Sequence, residues 1–138
     1  MKRNLIGTLS LVVLALLLNA TGAYAQAVAK ANVPFDFTVA KKQMPAGRYT
    51  IMTDGQATIT IQNSDTGASV LSTIRTESPS NASPKLVFHN LGNQYFLAEV
   101  WGAEGRAGLI VPVSTLEKEL RIASGPSTTV GKVVIALK

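Results

Sequence analysis

The sequence predicts an all-β, mainly antiparallel domain: a small β-sandwich or β-barrel of seven to eight strands with one short helix towards the C-terminal end. Three observations carry this expectation. Apolar and polar residues alternate with period two along most of the chain after residue 25. Turn-forming clusters interrupt the alternation at hairpin spacing. Helical signals are confined to a single stretch after residue 113.

In chain order, Val33, Phe35, Phe37 and Val39 point one way and Pro34, Asp36 and Thr38 the other. The cluster KKQMPAG at 41–47 punctuates, and a strand resumes over 48–53. Asp54-Gly55 is a strong turn dipeptide. Ala57, Ile59 and Ile61 then alternate with Thr58, Thr60 and Gln62, the pattern of a half-buried strand. In "NSDTGASV" at 63–70, Asp65 and Thr66 suit the centre of a type I turn, and Gly67 suits the left-handed position closing a three-residue loop. That register sets Ile61 opposite Leu71 and Thr60 opposite Ser72.

The sheet continues over 70–76, and SPSNASP at 78–84 is a loop by composition. Strands at 85–90 and 94–101 flank Leu91-Gly92-Asn93 as a hairpin, and AEGRAG at 103–108 is a connection. Ser114 and Glu117 fit a capping box, with Leu116 and Leu120 on one helical face expected to pack on the sheet. Glu117 and Arg121 have ion-pair spacing, and Gly125-Pro126 ends the helix before a last strand over 130–137.

The first 25 residues have the layout of a secretory signal: Lys2 and Arg3, an apolar block over 9–18, and small residues at Ala23 and Ala25. The block is shorter than the roughly 20 residues a membrane span needs. Cleavage after Ala25 leaves a single secreted β-domain, 26–138, of 113 residues with no membrane span. Loss of Lys2 and Arg3 leaves eleven cations against eight acids, about +3. The cations are scattered, which argues against nucleic acid as a partner. There is no cysteine, so disulfides, thiolate zinc sites, cysteine nucleophiles and a lipidated cysteine are excluded.

The ordered set VPFDFTV (33–39), MPAGRYTI (44–51), Phe88-His89, Tyr95-Phe96-Leu97 and Trp101 resembles a family of small secreted β-proteins from soil bacteria. The similarity runs through most of the mature chain, with Met44 standing where leucine is usual. The resemblance implies export and a β-rich domain, and nothing catalytic, because that family has no assigned activity.

Several constellations invite chemistry. Asp65-Thr66-Gly67 spells the catalytic loop of a dimeric retroviral-type aspartic peptidase, in which two carboxylates share one proton. That loop is normally entered through apolar residues, whereas Gln62, Asn63 and Ser64 precede Asp65. His89, the single histidine, cannot build a multi-histidine metal site within one chain and is expected to face solvent or a loop; Glu99 or another acid could pair with it, but nothing in the sequence demands that. Asp36, Glu99 and Glu104 are expected to be solvated charges, no spacing fixing a pair for glycoside hydrolysis.

The expectation is therefore an exported, non-enzymatic β-domain, periplasmic or extracellular, with a binding or structural role toward an unnamed envelope or extracellular partner. It has no catalytic residue, metal or cofactor, and Tyr49, Tyr95 and Trp101 are the candidate partner or ligand surface. Two alternatives stay open: the dimeric peptidase using Asp65, and a carrier of apolar ligands inside a barrel.

Overall fold

The structure is a computed structural model describing residues 26–54, 57–79, 81–102 and 106–137, with side chains from residue 29 onward. The segment 1–25 read as a secretory signal, the Gly55 turn position and Glu104 lie outside the described residues.

Among the described residues eleven strands form two facing sheets. The smaller has the order β1 (Gln26–Val33), β4 (Gly47–Thr53), β5 (Thr58–Asn63), β6 (Ser69–Thr73). The larger runs β11 (Gly131–Ala136), β8 (Lys85–Leu91), β9 (Gln94–Trp101), β10 (Gly108–Ile110), β7 (Arg75–Glu77). The short hairpin of β2 (Phe37–Val39) and β3 (Lys42–Met44) joins β9 through a parallel bridge at Thr38 and Phe96. Among the described residues one helix, α1 (Thr115–Ala123), precedes β11. The sheets do not close into a barrel, so the sandwich alternative is the observed one. A carrier cavity inside a barrel therefore loses its enclosure.

The period-two pattern of 33–39 does what alternation predicts, although the strand breaks at 34–36. Val33, Phe37 and Val39 are buried, and Phe35 packs half-buried against the same core. Phe35 and Phe37 meet Phe88 edge-on at 5.1 and 5.3 Å between ring centroids, and Phe37 meets Tyr49 at 5.0 Å. Such edge-to-face pairs are each worth about 0.5–1.5 kcal/mol beyond area burial. Ile51, Ile59 and Ile61 of the small sheet and Leu86, Leu97, Val100 and Leu109 of the large one fill the space between the layers.

Four strands go beyond the seven placed from sequence: β1, which lies ahead of the first expected strand, and the short β3, β7 and β10. β3 lies inside the cluster read as punctuation, and β10 starts at the last glycine of the connection, Gly108. The stretch 70–76 splits, with β6 in one sheet and β7 in the other. None of β3, β7 and β10 exceeds three residues, too few for alternation to register. β9 also carries one extra residue, Ala98, because Val87 pairs with Glu99 while Phe88 pairs with Leu97.

The expected pairing of β5 with β6 is shifted by one residue. Ile61 faces Val70, Thr60 faces Leu71 and Ile59 faces Ser72. The loop has four residues, 64–67, closed by Asn63 N–H to the Ala68 carbonyl at 2.7 Å and Gly67 N–H to the Asn63 carbonyl at 2.9 Å. Since the side-chain period is two, the slip exchanges faces: Leu71 is 64% exposed and Ser72 is buried at 6%. Gly67 does take the left-handed conformation, φ 75°.

Candidate functional site

Asp65 sits at the tip of the β5–β6 turn, and Asn63 builds that turn. The Asn63 side chain is buried, and its Oδ1 accepts from the Asp65 and Thr66 backbone N–H groups at 2.8 and 2.9 Å. The Asp65 carboxylate accepts from Arg48 Nε at 3.1 Å and from Nη2. Both side chains are solvent-accessible. Hydrogen bonds from Arg48 hold the Asp65 carboxyl below its usual range and raise the guanidinium in turn. A proton-sharing dyad needs one carboxyl that keeps its proton; this environment favours the ionised form.

His89 does not meet Glu99. The β8–β9 register sets Val87 opposite Glu99 and His89 opposite Phe96, so His89 projects beneath α1. There its Nδ1 lies 2.7 Å from Glu117 Oε1, and Arg121 Nη2 bonds the same oxygen. Glu117 is only 3% exposed. The helix is thus docked through the Glu117–His89 contact, with Arg121 bracing the carboxylate from the next turn of the helix and Leu116 43% and Ile122 81% exposed. The expected apolar docking face is corrected: Leu120 is half-buried and Leu116 faces away, because Glu117 turns inward to His89. Ser114 does cap, accepting from Glu117 N–H at 3.1 Å, but the Glu117 carboxylate goes to His89 and Arg121 and the reciprocal half of the box is not made.

Asp36 and Glu99, also singled out by sequence, are engaged as well. Asp36 accepts from Ala46 N–H at 2.8 Å, tying the segment before β2 to that before β4. Glu99 accepts from Trp101 Nε1–H at 2.8 Å. No group of three metal-ligating side chains occurs among the described residues.

The three candidate surface aromatics part company. Tyr49 is buried at 1% and donates its hydroxyl to the Pro45 carbonyl, with burial pushing the phenol pKa up. It is a core residue, because β4 alternation turns it inward with Ile51. Trp101 is half-buried on the opposite face of the large sheet, its ring lying over Gly108. Tyr95 stacks on Phe35, centroids 4.0 Å apart and rings 21° from parallel.

Tyr95 lines a surface groove of about 600 Å³ with Asp36, Thr38, Lys41, Gln43, Asn93 and Gln94. Leu116 of α1 closes one side and also lines an adjoining hollow of about 280 Å³ with Thr38 and Lys41. Residues distant in sequence meet here because β2 bridges to β9 and brings the β2–β3 hairpin beside the β8–β9 turn. The sequence signal that found Tyr95 was aromaticity alone; Gln43, Asn93 and Gln94 carry no motif. A second groove, about 530 Å³, runs between the outer strands β1 and β11, lined by Lys30, Asn32, Arg48, Ser64 and Ile135 among others.

Comparison of the chain with protein-family models, with curated proteins and with solved structures finds no match.

Proposed function

We propose that the chain is an exported, non-enzymatic binding domain working at the cell envelope or outside the cell, and that it engages its ligand in the groove beside Tyr95. The observation carrying this reading is the groove itself. Its volume lies in the range of ligand sites, roughly 300–1,000 Å³, and side chains from β2, β3, the β8–β9 turn, β9 and α1 converge on it. Export is supported by Lys2, Arg3, the apolar block at 9–18 and Ala23-Tyr24-Ala25, and by the resemblance to small secreted β-proteins. No helix among the described residues is long and apolar enough to cross a membrane. The non-enzymatic reading is supported by the engagement of Asp36, Asp65, Glu99 and Glu117 in structural bonds.

Cell fractionation, with intact mass of the product and sedimentation of the mature protein with isolated envelope material, tests this function. A product starting at Gln26, found in the periplasm or medium and carried down by envelope material, is the expected result. Retention of residues 9–18 in the product would make this an anchored protein, and failure to associate with any envelope material would remove the binding role.

A further inference from the structure

We infer that the groove beside Tyr95 is a subsite for a neutral oligosaccharide; this rests on the binding function proposed above and names its ligand class. The argument begins with the chemistry of the lining. A pyranose ring presents an apolar C–H face and a rim of hydroxyls, each both donor and acceptor. Its recognition calls for a flat apolar surface beside groups that donate and accept within one side chain.

Tyr95 supplies the surface. Phe35 backs its ring at 4.0 Å and fixes its plane, so the aromatic is held in place before any ligand arrives. Around it stand three side-chain amides, Gln43, Asn93 and Gln94, all exposed. Each amide carries two donors and an acceptor with two lone pairs, the complement of paired hydroxyls. Thr38 adds a hydroxyl on the same wall.

Charge selects within that chemistry. The lining holds one carboxylate, Asp36, and one ammonium, Lys41. Asp36 already accepts from Ala46 N–H. The groove beside Tyr95 thus balances one charge of each sign, Glu119 adds a second carboxylate only in the adjoining hollow, and amides dominate the polar groups around Tyr95, so the trough gives an anionic ligand no attraction. The groove between β1 and β11 differs: its charged lining is Lys30 and Arg48, and the Arg48 charge is taken by Asp65.

Extent follows from the adjoining hollow. Thr38, Lys41 and Leu116 line both spaces, so the trough continues from Tyr95 past the β2–β3 turn to α1. This suits a chain of sugar rings rather than one. Leu116, 43% exposed and lining both spaces, gives an apolar contact where they join.

The test is amide chemical-shift mapping of the mature protein titrated with cellotetraose and with chitotetraose, at concentrations reaching the millimolar range. The expected result is saturable shifts with at least one of them at Gln43, Asn93, Gln94 and Tyr95, including the side-chain amides. The double variant Asn93→Ala/Gln94→Ala, changed only at exposed positions, should keep the spectrum of a folded protein and weaken binding about tenfold, the equivalent of 1.4 kcal/mol. Tyr95→Ala should abolish it, and Leu71→Ala on the other sheet should leave it unchanged.

No shifts with either oligosaccharide overturns the inference, as do shifts confined to the β1–β11 flank or affinity unaltered in the double variant. Preference for polygalacturonate over both neutral probes overturns it too. Envelope material that sediments with the protein, depends on Tyr95, and is not displaced by the oligosaccharides would overturn the ligand class while leaving the binding function standing.

Discussion

Arg48 on β4 holds Asp65 on the β5–β6 turn from two sides: its guanidinium bonds Oδ1, and its backbone N–H points at Oδ2 from 3.4 Å. The pair decides how a protease-like tripeptide behaves here. Asp65 is a cross-strand tie, and the turn beneath it is held by Asn63.

The carboxyl of Asp65 should titrate below the usual carboxylate range. Because its folded pKa is lowered, the stabilisation it contributes is complete above the unfolded value and is lost as pH falls through the folded one. NMR titration of the Asp65 side chain checks this, and Arg48→Gln should bring it back towards about 3.9. Acid-pH cleavage of unfolded peptides that vanishes in Asp65→Asn would show instead a carboxyl sharing a proton.

Asn63→Ala should cost more stability than Asp65→Asn. The first leaves two backbone N–H groups of the turn without their buried acceptor, worth about 1–3 kcal/mol. The second changes an exposed side chain and should stay within about 0.5 kcal/mol. Urea denaturation of both variants gives the order; equal losses would mean the turn does not depend on Asn63.

Gly108 has no room for a side chain. A Cβ there would lie 2.5–2.7 Å from three ring carbons of Trp101, at the end of the neighbouring strand β9. Gly108→Ala should therefore displace the indole and destabilise by about 1–3 kcal/mol, as overpacking does. Trp101 is the single tryptophan, so its fluorescence reports the site directly. An unchanged emission maximum with unchanged stability would place the ring elsewhere.

The helix should depend on Glu117 more than on Leu116. Removing the buried carboxylate takes away charge-assisted bonds to His89 and Arg121, a loss of about 1.5–3 kcal/mol. Leu116→Ala should move stability by less than about 0.5 kcal/mol, as surface changes do. Thermal denaturation of Glu117→Ala and Leu116→Ala compares them. The reverse order would restore the apolar docking face that Leu116 and Leu120, four residues apart, suggest.

Sequence made much of the architecture legible, and the exceptions share a physical cause. Period-two runs such as 33–39 and 57–62 located core faces because each has a buried and a solvated side. The Leu71 register was missed because the loop length is set by a buried amide bonding to backbone, which alternation does not encode. Helix α1 was located by Ser114, yet its inward face was misjudged. A charged residue became the buried one once β8 set His89 beneath it. Among the candidate surface residues, Tyr49 and Tyr95 look alike as letters. Only the three-dimensional meeting of β2, β3 and β9 separates a core phenol from a groove-lining one.

Hydrogen–deuterium exchange of the mature protein, with and without isolated envelope material, tests binding at the Tyr95 groove most directly. The predicted result is slowed exchange at Lys41 to Gln43 and at Asn93 to Tyr95, with the β1 and β11 backbone unchanged. Protection confined to β1 and β11, or none anywhere, would contradict it.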